Sequence, residues 1–301
     1  MVFSGEPDGR EIQTAKFKLR NNWSGKAVVS AHFGEAVSEI DWLPFLSSLA
    51  RPESLLEDVE KILKKENQNC VVVKKLKIGN KQLNVVIKSH RLGPGFHQFF
   101  RALRPGRALR NFRTAVKLFR YGIEVAAPLV AIHQRRNLLA RQSIYITEYI
   151  ENSCHLYDFL SERLRKCATA EFTIKRQLSH QIAAILATLH KNGLWHRDAK
   201  ASNFIVSKDT CGRYKISLID LDGVRSYLLR RRSCQLRSLW QLAASTFPLS
   251  VINRTDYWRT FIIYCDLAGL EVSQRRSIFR KLASCAKAKY MRTMQKAASK
   301  E

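Results

Sequence analysis

The apolar positions of the chain change their spacing near residue 150. Upstream they gather in short, β-branched runs. Cys70–Ile78 and Gln82–His90 are rich in Val and Ile, and Gly79-Asn80 lies in the polar connection between them, which predicts a β-hairpin. Ala108–Tyr121 places Leu109, Phe112, Ala115, Val116 and Phe119 at helical spacing, with Gly122 as its C-cap. Val125–Ile132 and Ser143–Ile150 read as further strands. Trp42–Lys65 carries apolar residues broken by Pro44 and Pro52 and predicts one or two short helices, while residues 1–35 fit no period. Downstream the pattern turns helical. Phe172–Lys191 is amphipathic through Leu178, Ile182, Ile185, Leu186 and Leu189, and stops at Asn192-Gly193. Phe204–Ser207 and Lys215–Leu221 are short and strand-like, and helices are predicted near 234–247, 256–268 and 273–297. The expected fold class is therefore α+β, a β-rich lobe followed by a mainly helical one. The expected divisions are an N-terminal extension and start of the first lobe over 1–66, the rest of that lobe over 67–150, and the helical lobe over 151–301.

Composition adds a core and a charge. Hydrophobic residues make up 46% of the 301 and charged residues 26%, enough for a sizeable interior. No run of about 18 apolar residues is present, and the first residues lack a basic segment followed by an apolar one, so neither a spanning helix nor a leader is expected. The seven cysteines contain no Cys-x-x-Cys pair, which argues against a disulfide framework or a zinc site and suits the reducing cytoplasm. Lys and Arg total 52 against 25 Asp and Glu, a formal net charge of +27. A field of that sign attracts polyanions: nucleic acid, an anionic membrane surface or a phosphorylated substrate. A single run such as Arg230-Arg231-Arg232 reads as solvated surface; the sum over the chain points to an anionic partner.

Four segments carry candidate chemistry. Residues 194–203 read Leu-Trp-His-Arg-Asp-Ala-Lys-Ala-Ser-Asn, between a capped helix and a strand. Residues 216–223 read Ile-Ser-Leu-Ile-Asp-Leu-Asp-Gly, an apolar strand ending in Asp220, 17 residues after Asn203. Leu83–Lys88 ends the second hairpin strand on a lysine, and Tyr145–Ile150 is a strand containing Thr-Glu-Tyr. Phosphoryl transfer needs a cation on the nucleotide phosphates, oxygen ligands for Mg²⁺ and a carboxylate that orients the attacking hydroxyl. The first segment resembles the catalytic loop of protein kinases, H-R-D-x-x-x-x-N, at its spacing. The resemblance implies a protein-kinase-like two-lobed fold that uses ATP and Mg²⁺. In it Asp198 orients the acceptor hydroxyl, Lys200 balances charge on the transferred group, Asn203 is a metal ligand and His196 braces the loop. It implies that Asp220 is the principal Mg²⁺ ligand, at the position of the kinase Asp-Phe-Gly, with Asp222 in place of the glycine as either a second ligand or a turn residue. Lys88 would contact the ATP phosphates, and the main chain at Glu148 and Ile150 would bind adenine.

Two parts of the kinase pattern are missing. No glycine-rich motif precedes Lys88, which leaves Trp23-Ser24-Gly25-Lys26 or Asn67–Asn69 as candidate phosphate covers. The helix Ala108–Tyr121 holds no acidic residue to pair with Lys88, and Glu124 lies just past it.

Only 81 residues follow Asp220, and no Ala-Pro-Glu appears among them, which disfavours an ordinary protein kinase. Residues 80–245 resemble the bacterial lipopolysaccharide kinases, the Kdo and core-heptose kinases. The likeness runs from the arginine-rich helix with Gly122-Ile123 and Pro128-Leu129, through the Thr-Glu-Tyr strand and catalytic loop, to Ile-Asp-Leu-Asp and Leu239–Ala243. It implies Mg·ATP-dependent phosphorylation of a sugar hydroxyl in the inner core of lipopolysaccharide or a similar anionic glycolipid. The enzyme would be peripheral on the inner face of the cytoplasmic membrane, and nucleic acid becomes a disfavoured partner. Arg101, Arg104, Arg107, Arg110 and Arg113 are candidate contacts to such a surface, or else a solvated helix face. The rival readings are an atypical Ser/Thr protein kinase, which Lys200 would suit, and a binding pseudokinase.

Overall fold

The computed structural model describes residues 13–18, 23–30, 56, 59–66, 69–78, 81–91, 106–136, 139–164, 171–227 and 231–299. The chain divides into two compact units, Met1–Ile150 and Glu151–Glu301.

The first unit is built on β1 (Gln13–Lys18), β2 (Trp23–Ser30), β3 (Lys61–Glu66), β4 (Asn69–Ile78), β5 (Lys81–Arg91), α1 (Arg107–Arg120), β6 (Pro128–Arg136) and β7 (Leu139–Glu148). The strands form one antiparallel sheet in the order β1-β2-β6-β7-β5-β4-β3. Val85, Ile87, Ile144 and Ile146 are wholly buried on the central strands, and Ala108, Phe112 and Phe119 of α1 join the same cluster. Each buried Val, Ile or Phe side chain contributes roughly 1.5–3 kcal/mol, and Phe112 and Phe119 are what fix α1 to the sheet. The outer face of α1 is basic, with Arg110 and Arg113 exposed, whereas Arg107 is turned to structural use: its Nη1 donates to Asn69 Oδ1 at 3.2 Å. Arg101 and Arg104 lie outside the described residues.

Two expectations change here. Lys61–Glu66 is a strand rather than the end of a helix, because its backbone pairs with β4 from Lys61↔Val73 to Glu66↔Asn69. All six of its side chains are exposed, so Ile62 and Leu63 do not mark a core face. Positions 42–55 of the predicted helices lie outside the described residues. β1 and β2 occupy a stretch where the pattern predicts no element; β2 joins the sheet beside β6.

The second unit comprises β8 (Cys154–His155), a short helical stretch over 156–163, α2 (Glu171–Lys191), β9 (Leu194–His196), β10 (Phe204–Lys208), β11 (Tyr214–Leu218), β12 (Val224–Ser226), α3 (Arg231–Thr246), α4 (Arg254–Ala268) and α5 (Val272–Ala298). α2 buries Ile174, Leu178, Ile182, Leu186 and Leu189 and ends at Gly193, whose φ of +72° is a left-handed conformation suited to glycine. α4 opens with a capping box in which Asn253 and Asp256 bond each other's main-chain N–H at 3.0 and 3.1 Å. Asp256 also lies 3.5 Å from the buried Lys175 ammonium, which Glu171 meets at 2.5 Å. Helices α2 to α5 line most of a partly open cavity of about 610 Å³, with apolar groups such as Leu178, Ile182, Leu242, Phe261 and Phe279 predominating.

Candidate active site

Two small β-ladders in the second unit set the geometry. β9 pairs with β12, and β10 pairs with β11, so the loop between β9 and β10 faces the turn between β11 and β12. Two main-chain bonds lock these loops together: Arg197 N–H to the Gly223 carbonyl at 2.8 Å, and Ile219 N–H to the Asn203 carbonyl at 2.9 Å. The loop after β9 is tied within itself as well. Asn203 Nδ2 donates to the Asp198 carbonyl at 2.6 Å, and Asp198 N–H donates to His196 Nδ1 at 3.2 Å. Helix α3 supplies two serines. Ser238 Oγ bonds both the N–H (3.2 Å) and the carbonyl (3.0 Å) of His196, and Ser245 Oγ accepts from Ala201 N–H at 2.8 Å.

With its amide nitrogen committed, Asn203 has its Oδ1 left as an acceptor, and the residue is only 5% exposed. The Asp198 carboxylate is half-exposed, with Lys200 Nζ 3.4 Å away. Asp220 sits where β11 gives way to a turn. Its φ of 56° and ψ of 54° are left-handed, an arrangement that Asp tolerates better than most residues and that costs on the order of 1 kcal/mol. The Gly223 N–H closes this turn on the Asp220 carbonyl at 3.0 Å. Asp222 lies within the turn and is half-buried.

Gly223 proves to be the glycine the turn requires. A Cβ there would stand 2.2 Å from His196 Cε1, 2.7 Å from Nε2 and 2.8 Å from Nδ1, so only a glycine lets the chain lie flat on the imidazole. Motif spacing, which set Asp222 in the glycine's place, missed this by one residue. The signal available was the glycine that directly follows Asp-Leu-Asp. Ser238 and Ser245, also missed, lie 42 and 44 residues from their partners and leave no local trace.

Burial holds the fully enclosed His196 imidazole below its usual pKa, against the opposing pull of the nearby Asp220 and Asp198 carboxylates. The ring is therefore neutral at pH 7, with its proton on Nε2, since Nδ1 accepts from Asp198. In the unfolded chain it titrates near 6.5, so below that value the unfolded state binds more protons than the native one. The stability that neutral His196 contributes is complete above pH 6.5 and is lost as the pH falls through its native pKa. Melting temperature is expected to fall more steeply from pH 7 to pH 5.5 in the wild type than in His196→Gln. Equal slopes would show that His196 does not set this pH dependence.

In the first unit Lys88 is half-buried on β5 and pairs across the ladder with Tyr145, whose phenol burial pushes well above its usual range. Glu148 pairs with Val85 on the same two strands, and its N–H donates to the Ala127 carbonyl at 2.9 Å. Ile150 follows the end of β7 and is half-buried. Of the two candidate phosphate covers, Trp23–Lys26 lies inside strand β2, paired with both β1 and β6. The other falls at the β3–β4 connection, where residues 67–68 lie outside the described residues and Asn69 accepts from His90 Nδ1 at 2.7 Å.

A divalent cation suits the donors in the second unit. Among the described residues no three His, Cys, Asp or Glu side chains gather, so such an ion would have at most two of these side chains; Asp220 and the amide oxygen of Asn203 are the donors the sequence singles out. Mg²⁺, which keeps several waters and takes few protein oxygens, fits that set.

Comparisons with known proteins bear on the family and the fold. The sequence profile described as "Lipopolysaccharide kinase (Kdo/WaaP) family" matches residues 65–264. The chain is similar to lipopolysaccharide core heptose(I) kinase WaaP of Escherichia coli (strain K12), 26% identical over 163 residues, which is 53% of this chain and 59% of that protein. A stretch of 65 residues is 40% identical to Cyclin-dependent kinase F-4 of Oryza sativa subsp. japonica, covering 22% of this chain and 13% of that protein. The chain thus spans less than two thirds of the length of either relative. A solved structure, WaaP in complex with acyl carrier protein, superposes with a TM-score of 0.61 at 16% identity, covering 82% of this chain and 97% of that chain. That likeness makes the fold kinase-like, with the sheet first and the helices after.

Proposed function

Because this chain belongs to the lipopolysaccharide kinase (Kdo/WaaP) family, we propose that it transfers the γ-phosphoryl group of ATP to a sugar hydroxyl of the lipopolysaccharide inner core or a similar anionic glycolipid. The observation that carries this reading is the loop from His196 to Asn203. Its main chain is held by His196, Ser245 and Asn203, which leaves the Asp198 carboxylate beside Lys200 and the Asn203 amide oxygen available for chemistry.

In this reading Asp198 orients the acceptor hydroxyl and takes its proton on a carboxylate oxygen as the new P–O bond forms and the γ-phosphorus bond to the β–γ bridging oxygen breaks, releasing ADP. Lys200 offsets negative charge on the transferred group. Asn203 and Asp220 hold Mg²⁺, which when bound neutralises charge on the phosphates. In the first unit Lys88 is assigned to the nucleotide phosphates, the main chain at Glu148 and Ile150 to adenine, and the β3–β4 connection to phosphate cover. That hairpin precedes the lysine-bearing strand, which supports the last assignment.

Charge supports an acceptor at an anionic bilayer. α5 carries eight Lys or Arg and no Asp or Glu between Val272 and Ala298, on a chain of net charge +27. No helix among the described residues is long and apolar enough to cross a membrane. The test presents γ-labelled ATP with lipopolysaccharide in anionic vesicles or with protein acceptors. Label is expected on saccharide, and the enzyme should pellet with the vesicles at low salt but not at about 0.5 M, where surface charge is screened. Label found only on protein would defeat the proposal.

A carrier-protein partner of the kind bound to WaaP is a second reading, favoured by the apolar cavity among α2 to α5. A fatty acyl chain gains free energy by leaving water for such a space. Acylated carrier protein should then raise the melting temperature; an equal rise with unacylated carrier protein would take the cavity out of the contact, and no rise with either would defeat the reading.

A further inference from the structure

We infer that Arg197, Arg225 and Arg237, set around Trp195, form a subsite for an acidic group, carboxylate or phosphate, on the acceptor saccharide. The inference rests on the saccharide-kinase reading and adds to it what the acceptor must carry beyond its hydroxyl.

The placement follows from the β9–β12 ladder. Facing residues of an antiparallel pair project to the same side, and successive residues to opposite sides. His196 and Val224 face each other and are buried, so Trp195 and Arg225, the next facing pair, lie on the outer side. Arg225 is exposed there and Trp195 half-buried. The Arg197 N–H bond to the Gly223 carbonyl carries the pairing one residue further, which sets Arg197 on the same side as Trp195; it too is exposed. From α3, Arg237 brings its guanidinium to 5.8 Å from the centre of the Trp195 ring. Ser238, the next residue, holds both the N–H and carbonyl of His196, so α3 and β9 are fixed to each other at this point.

Three cations from three segments are thus gathered beside the residues that lead into Asp198. Arg197 and Arg237 make no ion pair among the described residues. Lys200 already stands at 3.4 Å from Asp198 and can serve as its counter-ion, so these arginines are not needed for that purpose. Like charges such as those of Arg197 and Arg237, held near one another by a fold, repel unless an anion joins them. Guanidinium forks match carboxylate and phosphate oxygens two at a time, and an indole supplies a flat face for a sugar ring or a stacked arginine. An anion held here would sit close in the chain to Asp198, the residue proposed to orient the acceptor hydroxyl.

Calorimetry with an acidic core oligosaccharide, and with the same oligosaccharide dephosphorylated and methyl-esterified, tests the site without nucleotide. The wild type is expected to bind the acidic form at least about 30-fold more tightly, in keeping with two charge-assisted contacts. Arg225→Gln/Arg237→Gln should bind the two forms alike while melting within a few degrees of the wild type. A preference retained by the double variant, or absent from the wild type, overturns the subsite. A double variant that melts far lower is replaced by the single variants, each expected to lose part of the preference; no loss in either also overturns it. Transfer of label is measured in parallel. Binding preference without transfer to any saccharide would sink the kinase reading and leave the subsite standing, whereas transfer without preference does the reverse.

Discussion

Asp198→Asn is expected to lower phosphoryl transfer about 10²- to 10⁴-fold, the range for removing a positioned general base, with almost no change in melting temperature. The separation of the two effects follows from how the loop is held. Its bonds to His196 and Asn203 use the main-chain N–H and carbonyl of Asp198, which the substitution leaves in place. At the side chain the substitution breaks the ion pair to Lys200, between groups 45% and 46% exposed, and pairs so exposed contribute about 1 kcal/mol or less. Initial rates and thermal unfolding on the same preparation check both halves. A variant that keeps its ATP-dependent activity would place the base elsewhere, and a wild type with no activity to lose would return the chain to the pseudokinase reading.

Gly223→Ala should damage both properties together. The new methyl would lie 2.2 Å from His196 Cε1, and the imidazole is wholly buried, so it cannot swing out into solvent. Overpacking of this kind costs about 1–3 kcal/mol. A displaced ring gives up its bond from the Asp198 N–H, and a misplacement of about 1 Å at a reacting group costs on the order of 10²-fold in rate. Gly212→Ala is the control. Gly212 has a left-handed φ of +75° but nothing within 4 Å of its Cβ position, so it should lose about 1 kcal/mol of stability and no activity. If Gly223→Ala behaves like Gly212→Ala, the close approach to His196 is not what matters.

The sequence reveals most where structure is local. Asn203 and Asp198 are joined within five residues, so the spacing of the loop already encodes its closure. The hairpin β4–β5 and helix α1 are similarly legible, because a valine-rich run and a 3.6-residue period each record one buried face. β3 is not legible: its six residues are exposed, and only pairing with β4 makes it a strand. The serines of α3 hold the loop from more than 40 residues away, through single hydroxyls that resemble any surface serine in the sequence. The cationic cluster around Trp195 is hidden for a related reason. Its members are scattered over loop, strand and helix, and in a chain with 52 basic residues no single arginine stands out.

A feature of the first unit bears on control under the proposed reading. Helix α1 packs on the sheet that carries Lys88, yet its fourteen residues include no Asp or Glu. In protein kinases the ion pair between that strand's lysine and a glutamate of this helix is made or broken as the helix moves, and activity follows. Under the proposed reading a shift of α1 carries no Asp or Glu of its own toward or away from Lys88. Under that reading any control exercised through α1 acts by packing on the sheet rather than by making or breaking an ion pair with one of its own carboxylates.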